Sequence, residues 1–493
     1  MHENKNVLLV SAEAYPFAKV GGLADVAGSL PRPLSEKGVD IRVMLPLYKS
    51  IDREKFGIEF CGVRFEVPMA GENVIGELWC GTFPNSDIPA YFIACDKYFG
   101  REGIYTDPET GEAYKDDGER FTFFSKAVFE ALKGLDWTPD LFHANDYQTG
   151  LIPYLLREKH GELNAGCLYS IHNLAYQGRY GPEILDAIGS GKDKFYPMGP
   201  FEFFGMVNFM KIGIVYADIV NTVSETYAEE IQTSEEYGYG LEGILRSMSN
   251  KVFGVLNGID DTVWNPETDE NIPYNFSADD LSGKRMCKAE LLKEAGLPED
   301  QLDVPLITMI SRLADQKGFD ILLPILDDIL KEEVNFILLG TGKKEYEKAL
   351  SEAAEKHPDK MAAIIDFRGG LAHRIEAGGD MFLMPSRYEP CGLNQMYSMA
   401  YGTVPVVRKT GGLADTVEPA DFKRDTGTGF VFEKYEKKEL LSAIKRAISA
   451  YNDKKGWRKL QDRCMAFDSS WENSAEKYIE LYEQALAGAR YGG

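Results

Sequence analysis

The chain has 493 residues, 44% of them hydrophobic and 27% charged, ordinary globular proportions that exclude wholesale disorder, a collagen-like repeat or a coiled coil. Its 78 acidic residues outnumber its 54 lysines and arginines, leaving a formal charge of −24. Such a surface repels phosphate backbones and anionic lipid, and no Lys/Arg run supplies a basic patch for nucleic acid or membrane.

At about 150 residues per domain, the length predicts roughly two to four domains. The N-terminal segment is apolar only from Val7 to Val10 before Glu13, too short for the core of a signal peptide, and no run elsewhere approaches the ~18 apolar residues of a membrane span. Seven scattered cysteines, Cys61, Cys80, Cys95, Cys167, Cys287, Cys391 and Cys464, form neither an even disulfide framework nor a CxxC pair. The expectation is a soluble protein of the reducing cytoplasm, its thiols unpaired.

Taken in chain order, apolar runs at 7–10, 41–46, 167–171, 217–223, 306–310, 336–340, 381–385 and 403–407 alternate with helix-period segments. Runs apolar on both faces and separated by helices read as parallel strands of an α/β protein. Helices are predicted near 120–133, 147–160, 317–331, 343–356 and 438–451 from apolar residues at i, i+3 and i+4. So many strands strain one open sheet, so two Rossmann-like sheets fit better. The turn Asn257-Gly258-Ile259-Asp260-Asp261 and the polar stretch after it mark the boundary. The last segment, from Trp471 to Ala487, places Tyr478, Leu481, Tyr482 and Leu486 on one stripe.

Four constellations carry chemistry. Lys19-Val20-Gly21-Gly22-Leu23-Ala24-Asp25 near the start is echoed by Lys409-Thr410-Gly411-Gly412-Leu413-Ala414-Asp415 near the end, each copy between a strand and a helix. Paired glycines at a helix start let an anion approach bare N–H groups, and Lys19 adds a point charge. Neither copy is GxGxxG or a P-loop, which removes the main support for nicotinamide or Walker-type nucleotide binding. Asp146 follows Phe142-His143-Ala144-Asn145, and His172-Asn173 follow the run at 167–171; no His/Asp/Glu/Cys cluster has metal-ligand spacing.

Arg312 and Lys317 follow the run at 306–310 directly, and so belong at the carboxyl edge of a parallel sheet, where open α/β folds bind ligands. Two cations there suit a diphosphate clamp; a salt bridge to Asp315 or Asp320 is the plainer alternative. In Ser386-Arg387-Tyr388-Glu389-Pro390-Cys391-Gly392-Leu393, Pro390 fixes the turn and Glu389 is positioned to accept hydrogen bonds from sugar hydroxyls. Cys391 lacks a histidine within the motif, which argues against a nucleophile.

Together KVGGLADV, HANDYQTGLIP, SIHNLAYQG, FFGMVNFMKIGIVYADIVNTVSETYAEEI, GYGLEGILR, GVLNGIDDTVWNPETD, SRLADQKGFD and SRYEPCGLNQMYSMAYGTVPVVRKTGGLADTV strongly resemble the bacterial glycogen synthase and plant starch synthase family. The resemblance implies a GT-B glycosyltransferase with two Rossmann-like domains whose parallel sheets face an interdomain cleft. It implies a glucan-acceptor domain over 1–250, a nucleotide-sugar domain over 259–466, and a helix over 467–493 crossing back to the first. The implied activity moves glucose, with retention, from ADP-glucose to the non-reducing end of glycogen or a maltooligosaccharide, with no metal or other cofactor.

Carried over by position, the resemblance implies a donor site of Lys19, Gly21, Gly22, Asn173, Phe367, Cys391, Gly392, Leu393, Asn394, Gly411 and Gly412. It implies catalytic roles for His172, Arg312, Lys317 and Glu389, and an acceptor side of Glu13, Asp25, Asp146, Tyr176 and Gln177. Phe367 stands where the family usually has a tyrosine, so it stacks on a base without donating a hydroxyl, and Asn394 replaces a more usual threonine. No carboxylate in these motifs is placed for a double displacement. The reading is therefore a front-face transfer in which the departing phosphate helps deprotonate the acceptor hydroxyl.

Overall fold

All eight apolar runs form strands, and they fall into two mainly parallel sheets. The computed structural model describes residues 5–366 and 369–491. The chain divides into two units, the first made of Met1–Val223, Ala228–Gly258 and Trp471–Gly493, the second of Ser224–Tyr227 and Ile259–Ser470.

In the first unit the strand order is Val252–Gly254, Ile219–Thr222, Gly166–Ile171, Leu141–Asn145, Asn6–Val10, Asp40–Pro46, Pro89–Ala94, Glu72–Thr82 and Glu59–Met69. All pair in parallel except the last two, which form an antiparallel hairpin at the edge. The central strands are buried on both faces: Leu8, Val10, Phe142, Ala144, Cys167 and Tyr169 all have zero exposure. That is why they read as continuous apolar runs. The hairpin alternates exposed and buried residues over its inner half, so it carries no such run. Its register shifts between Phe60 and Val63, and Cys61 comes to face Cys80 with Cα atoms 5.7 Å apart, joined as a disulfide. This corrects the expectation of seven unpaired thiols; cross-strand register, not sequence spacing, makes the pair, while Cys95, Cys167, Cys287, Cys391 and Cys464 are free and buried. A small antiparallel sheet, ordered Arg179–Tyr180, Met206–Asn208, Glu202–Phe203, stands beside the main one.

The C-terminal helix Trp471–Tyr491 belongs to this unit and packs on the strand Gly166–Ile171. Ala475, Tyr478, Leu481, Tyr482 and Ala485, spaced at helical intervals, are at most 4% exposed. A buried chain of hydrogen bonds fixes the helix. Tyr482 donates to His143 Nδ1 at 2.9 Å and His143 Nε2 donates to Ser170 Oγ at 2.6 Å. Ser170 in turn donates to Asn221 Oδ1, and Asn221 Nδ2 donates to the Tyr478 hydroxyl. With Ser170's one proton committed to Asn221, His143 must carry its own on Nε2, and burial pushes its pKa down to about 3. His143 is thereby a structural residue.

The second unit holds a six-stranded parallel sheet, ordered Met361–Ile364, Asn335–Leu339, Leu306–Ile310, Met381–Met384, Val404–Arg408, Phe430–Phe432. Helices include Ser282–Glu294, Lys344–Lys356, Gly369–Gly378 and Lys437–Tyr451. Among the described residues no helix is long and apolar enough to cross a membrane.

Candidate functional site

Parallel strands deliver their carboxyl ends to one edge, and in the first unit that edge carries Glu13, Asp146 and His172 in the loops after Asn6–Val10, Leu141–Asn145 and Gly166–Ile171. Glu13 is only 3% exposed. Its Oε2 accepts the N–H groups of Val20 and of Gly21, the latter at 2.9 Å, and its Oε1 accepts the Tyr105 hydroxyl at 2.5 Å. Glu13 therefore anchors the glycine loop from beneath. Gly21 spends its N–H on that anchor, and Gly22 opens the helix Gly22–Ser29 with no side chain capping it. Lys19 pairs with Asp25 at 2.6 Å while its side chain stays 41% exposed, a contact weak enough to exchange for a phosphate oxygen.

Asp146 adopts φ +55°, and its Oδ1 accepts the His172 N–H at 2.8 Å and the Asn173 N–H at 3.4 Å. Burial raises its carboxyl to about 7 against those two donors, with the charge of Glu13 adding to the rise. The His172 ring lies 2.8 Å, through Nε2, from Asn145 Oδ1. Asn145 Nδ2 already donates to Val10 and His143 carbonyls at 3.1 and 3.0 Å, so its Oδ1 must accept and His172 must carry its proton on Nε2. Burial lowers the His172 pKa to about 3, so the ring is neutral and Nδ1 is left as an acceptor. Tyr176 is 52% exposed, whereas Gln177 is 6% exposed and spends its amide on Tyr239 O and Asn208 Nδ2. Gln177, expected on the acceptor surface, is a buried brace.

In the second unit the loops after Leu306–Ile310 and Met381–Met384 are sewn together. The Arg387 N–H donates to Gln316 O at 2.8 Å and Gln316 Nε2 donates to Tyr388 O at 3.2 Å. Gly318, at φ +81°, has the Pro385 carbonyl oxygen 2.0 Å from where a Cβ would stand, so only glycine fits. The seam brings Lys317 Nζ to 2.7 Å from Glu389 Oε2, which also accepts the Ser386 hydroxyl at 2.9 Å. Glu389 is 5% exposed. Neither Asp315 nor Asp320 is the partner: Asp315 binds Lys343 and Tyr346, both at 2.6 Å, and Asp320 binds Arg387 at 2.8 Å and Tyr435. Arg312 sits exposed at the start of the same loop.

The second glycine pair is the seat of the Glu389 turn. Gly412 N–H donates to the carbonyls of Glu389 and Pro390, each at 3.1 Å. A Cβ at Gly411, which has φ +43°, would lie 1.9 Å from Glu389 O, and one at Gly412 would lie 2.1 Å from Cys391 O. Cys391 is 5% exposed, and both histidines of this unit are engaged elsewhere, His357 with Asp327 and His373 with Asp269. Gly392 takes φ +71° and Leu393 leads into the helix Asn394–Ala400. Gln395 Nε2 ties that helix back to the carbonyls of Cys391 and Gly392. Phe367 lies outside the described residues. Among the described residues no group of three or more His, Cys, Asp or Glu is placed to hold a metal ion.

Three positions escape a motif reading. Tyr105 orients Glu13, Asp117 accepts the hydroxyls of Tyr147 and Tyr180, and Glu376, fully buried, touches the Ser398 hydroxyl of the helix Asn394–Ala400 at 2.7 Å. Only distant contacts give them meaning. Asn145 did have a signal, as the residue beside Asp146 at a strand end.

Residues 6–247 match the model of the starch synthase catalytic domain, and residues 293–462 match that of the glycosyl transferases group 1. The glycogen synthase of Thermotoga maritima is 44% identical over 490 residues, covering 98% of this chain and 99% of that protein. That of Thermosipho africanus is 46% identical, covering 97% and 99%. The catalytic domain of starch synthase IV from Arabidopsis thaliana, solved bound to ADP and acarbose, superposes with a TM-score of 0.91 at 32% identity, over 98% of this chain and all of that one. A sucrose-phosphate synthase from Thermosynechococcus elongatus shares the fold, at TM-score 0.60 and 16% identity. Relatedness that runs the whole length of the chain, through both parallel sheets and the loops at their carboxyl edges, makes this an α/β glycosyltransferase of the GT-B fold that belongs to the glycogen synthase family.

Proposed function

We propose that the chain transfers glucose, with retention, from ADP-glucose to the 4-hydroxyl at the non-reducing end of an α-1,4-glucan, the second unit taking the donor and the first the acceptor. The observation that carries this reading is the Lys317–Glu389 pair at the carboxyl edge of the second sheet. Lys317 and Arg312 meet the diphosphate, whose negative charge grows as the glycosidic bond breaks, so their attraction is greatest in the transition state. Glu389 Oε2 is already filled by Lys317 and Ser386, which leaves Oε1 to accept hydroxyls of the glucosyl ring. Gly411 and Gly412 hold that carboxylate in place by seating its turn.

On the acceptor side, Asp146 holds the His172–Asn173 backbone, and the bare Nδ1 of His172 accepts a sugar hydroxyl without needing to change charge. The departing phosphate takes the proton of the attacking hydroxyl, so the protein supplies orientation and charge and no nucleophile. Lys19, released from Asp25, is a further phosphate contact. The relative solved with ADP and acarbose supports a nucleotide and a glucan-like ligand as the pair of substrates.

Incubation of the protein with maltoheptaose and either ADP-glucose or UDP-glucose, with released nucleotide measured, tests the reading. ADP release that depends on the acceptor is expected. No release with either donor overturns it, and release from UDP-glucose alone overturns the donor assignment.

A further inference from the structure

Asp117 opens the helix Asp117–Leu132, where a carboxylate favours the helix start whichever way it points. Here both of its oxygens are committed to side chains. Oδ2 accepts two phenols, the Tyr180 hydroxyl at 2.8 Å and the Tyr147 hydroxyl at 3.2 Å, and Oδ1 accepts Arg120 Nη1 at 3.4 Å. Arg120 is wholly buried, its guanidinium fixed in turn by the carbonyls of Tyr98 and Ile104 at 3.0 and 2.9 Å. The carboxylate is thus held from behind while its second oxygen gathers the phenols. Burial raises the Asp117 carboxyl against the pull of Tyr180, Arg120 and Tyr147, and it pushes both phenols well above their ordinary range, so each stays a donor.

The two phenols arrive from separate elements. Tyr147 directly follows Asp146, whose Oδ1 accepts the N–H groups of His172 and Asn173. Tyr180 ends the strand Arg179–Tyr180, which closes the loop that begins at His172. Glycine clears the space for both rings: a Cβ at Gly178, which has φ +61°, would lie 2.3 Å from the Tyr147 ring, and one at Gly118 would lie 2.9 Å from the Tyr180 ring. Phe121 meets Tyr147 and Phe209 meets Tyr180 edge-on, with centroids 5.9 and 4.8 Å apart. Asp146 therefore holds the start of segment 172–180 and Asp117 holds its end, and Tyr147 ties the one carboxylate to the other.

We propose that Asp117 is a positioning residue for the acceptor: by gathering Tyr147 and Tyr180 on one oxygen it sets where the loop from His172 to Tyr180 stands, and with it the His172 Nδ1 that takes a sugar hydroxyl. The inference rests on the functional reading above and adds to it a residue that none of the site motifs contains. An Asp117 that served the helix start alone would leave both hydroxyls dispensable. Phenylalanine would fill the two ring sites without taking a hydroxyl out of water, so the hydroxyls are present for the carboxylate.

The test is steady-state kinetics of the full chain, with maltoheptaose and ADP-glucose varied in turn. Asp117→Ala is expected to raise the KM for maltoheptaose about tenfold while the KM for ADP-glucose stays within about twofold. Asp117→Asn keeps an oxygen for the two hydroxyls and should recover most of the loss. Adding Tyr147→Phe and Tyr180→Phe to Asp117→Ala should cost nothing more, because the hydroxyls act through the carboxylate. If Asp117→Ala fails to fold, the variant carrying only the two phenylalanines decides: a maltoheptaose KM raised about threefold or more at an unchanged ADP-glucose KM is expected, and wild-type values of both overturn the proposal. An unchanged maltoheptaose KM in Asp117→Ala overturns it, as do two KM values that rise together or losses that add across the three positions. Any of these in a wild type that extends maltoheptaose spares the functional reading. A wild type that transfers no glucose from either nucleotide donor overturns both.

Discussion

Lys317 Nζ stands 2.7 Å from Glu389 Oε2 across 72 residues of sequence, so the cation proposed to meet the leaving group and the carboxylate proposed to meet the sugar are positioned by each other. Lys317→Ala therefore removes a transition-state charge and strands a nearly buried carboxylate. Turnover is expected to fall by about 10²–10³-fold, with a loss of roughly 1–3 kcal/mol of stability in urea titration. Arg312→Ala, at an exposed position, should lose turnover to a similar degree with a modest loss of stability. Near-normal turnover in both variants contradicts the clamp.

The fate of Cys391 follows from its surroundings. It is 5% exposed in a turn seated on Gly411 and Gly412, and both histidines of its unit are engaged with aspartates elsewhere. Cys391→Ser should retain most of its turnover while melting lower, because a buried hydroxyl costs roughly 1–3 kcal/mol unless it finds a partner. Inactivity as complete as that of Glu389→Ala would return the sulfur to the chemistry.

His172 is expected to stay neutral, protonated on Nε2, across the working pH range, since burial holds its pKa at about 3 and Asn145 Oδ1 fixes the tautomer. Nitrogen-15 NMR of labelled histidine should show two resonance pairs of that tautomer that do not titrate between pH 8 and pH 5, those of His143 and His172, the His172 pair being the one lost in His172→Gln. Titration near 6.5 contradicts the assignment.

The strands at the centre of both sheets were legible in the sequence because burial on two faces writes an unbroken apolar run, and Arg312, Lys317 and Glu389 were legible because each directly follows such a run. The hairpin Glu59–Met69 and Glu72–Thr82 was not, since half its residues face water, and with it went the Cys61–Cys80 pairing. Glu13 and Gln177 show a different limit. Sequence position placed them beside the site, but only the fold reveals that one carboxylate is spent on the Val20 and Gly21 N–H groups and that the Gln177 amide is spent on Asn208 and Tyr239.

Glu376 gives a pH-dependent test of the core of the second unit. Burial raises its carboxyl from 4.5 to about 8, so it is protonated at neutral pH. It then donates to Ser398 Oγ, freeing that hydroxyl to donate to Asn394 O at 2.7 Å. Because the folded state holds this proton more tightly than the unfolded chain, the contribution of Glu376 to stability is fully present below pH 4.5 and is lost as pH rises toward 8. Glu376→Gln, neutral at every pH, should be more stable than wild type at pH 8 by on the order of 4 kcal/mol and lose that advantage at pH 4.5. Parallel urea midpoints at the two pH values contradict a buried, protonated carboxyl.

The most direct test of the account is the stereochemistry and stoichiometry of a single addition. The protein is given ADP-glucose and a maltooligosaccharide, and the anomeric proton of the new linkage is followed by NMR while released ADP is counted. One α-1,4 linkage per ADP, formed without a burst of ADP release when acceptor is withheld, is the predicted result. A β linkage, or a stoichiometric burst of ADP that leaves glucose bound to the protein, would contradict a front-face transfer directed by Lys317, Arg312 and Glu389.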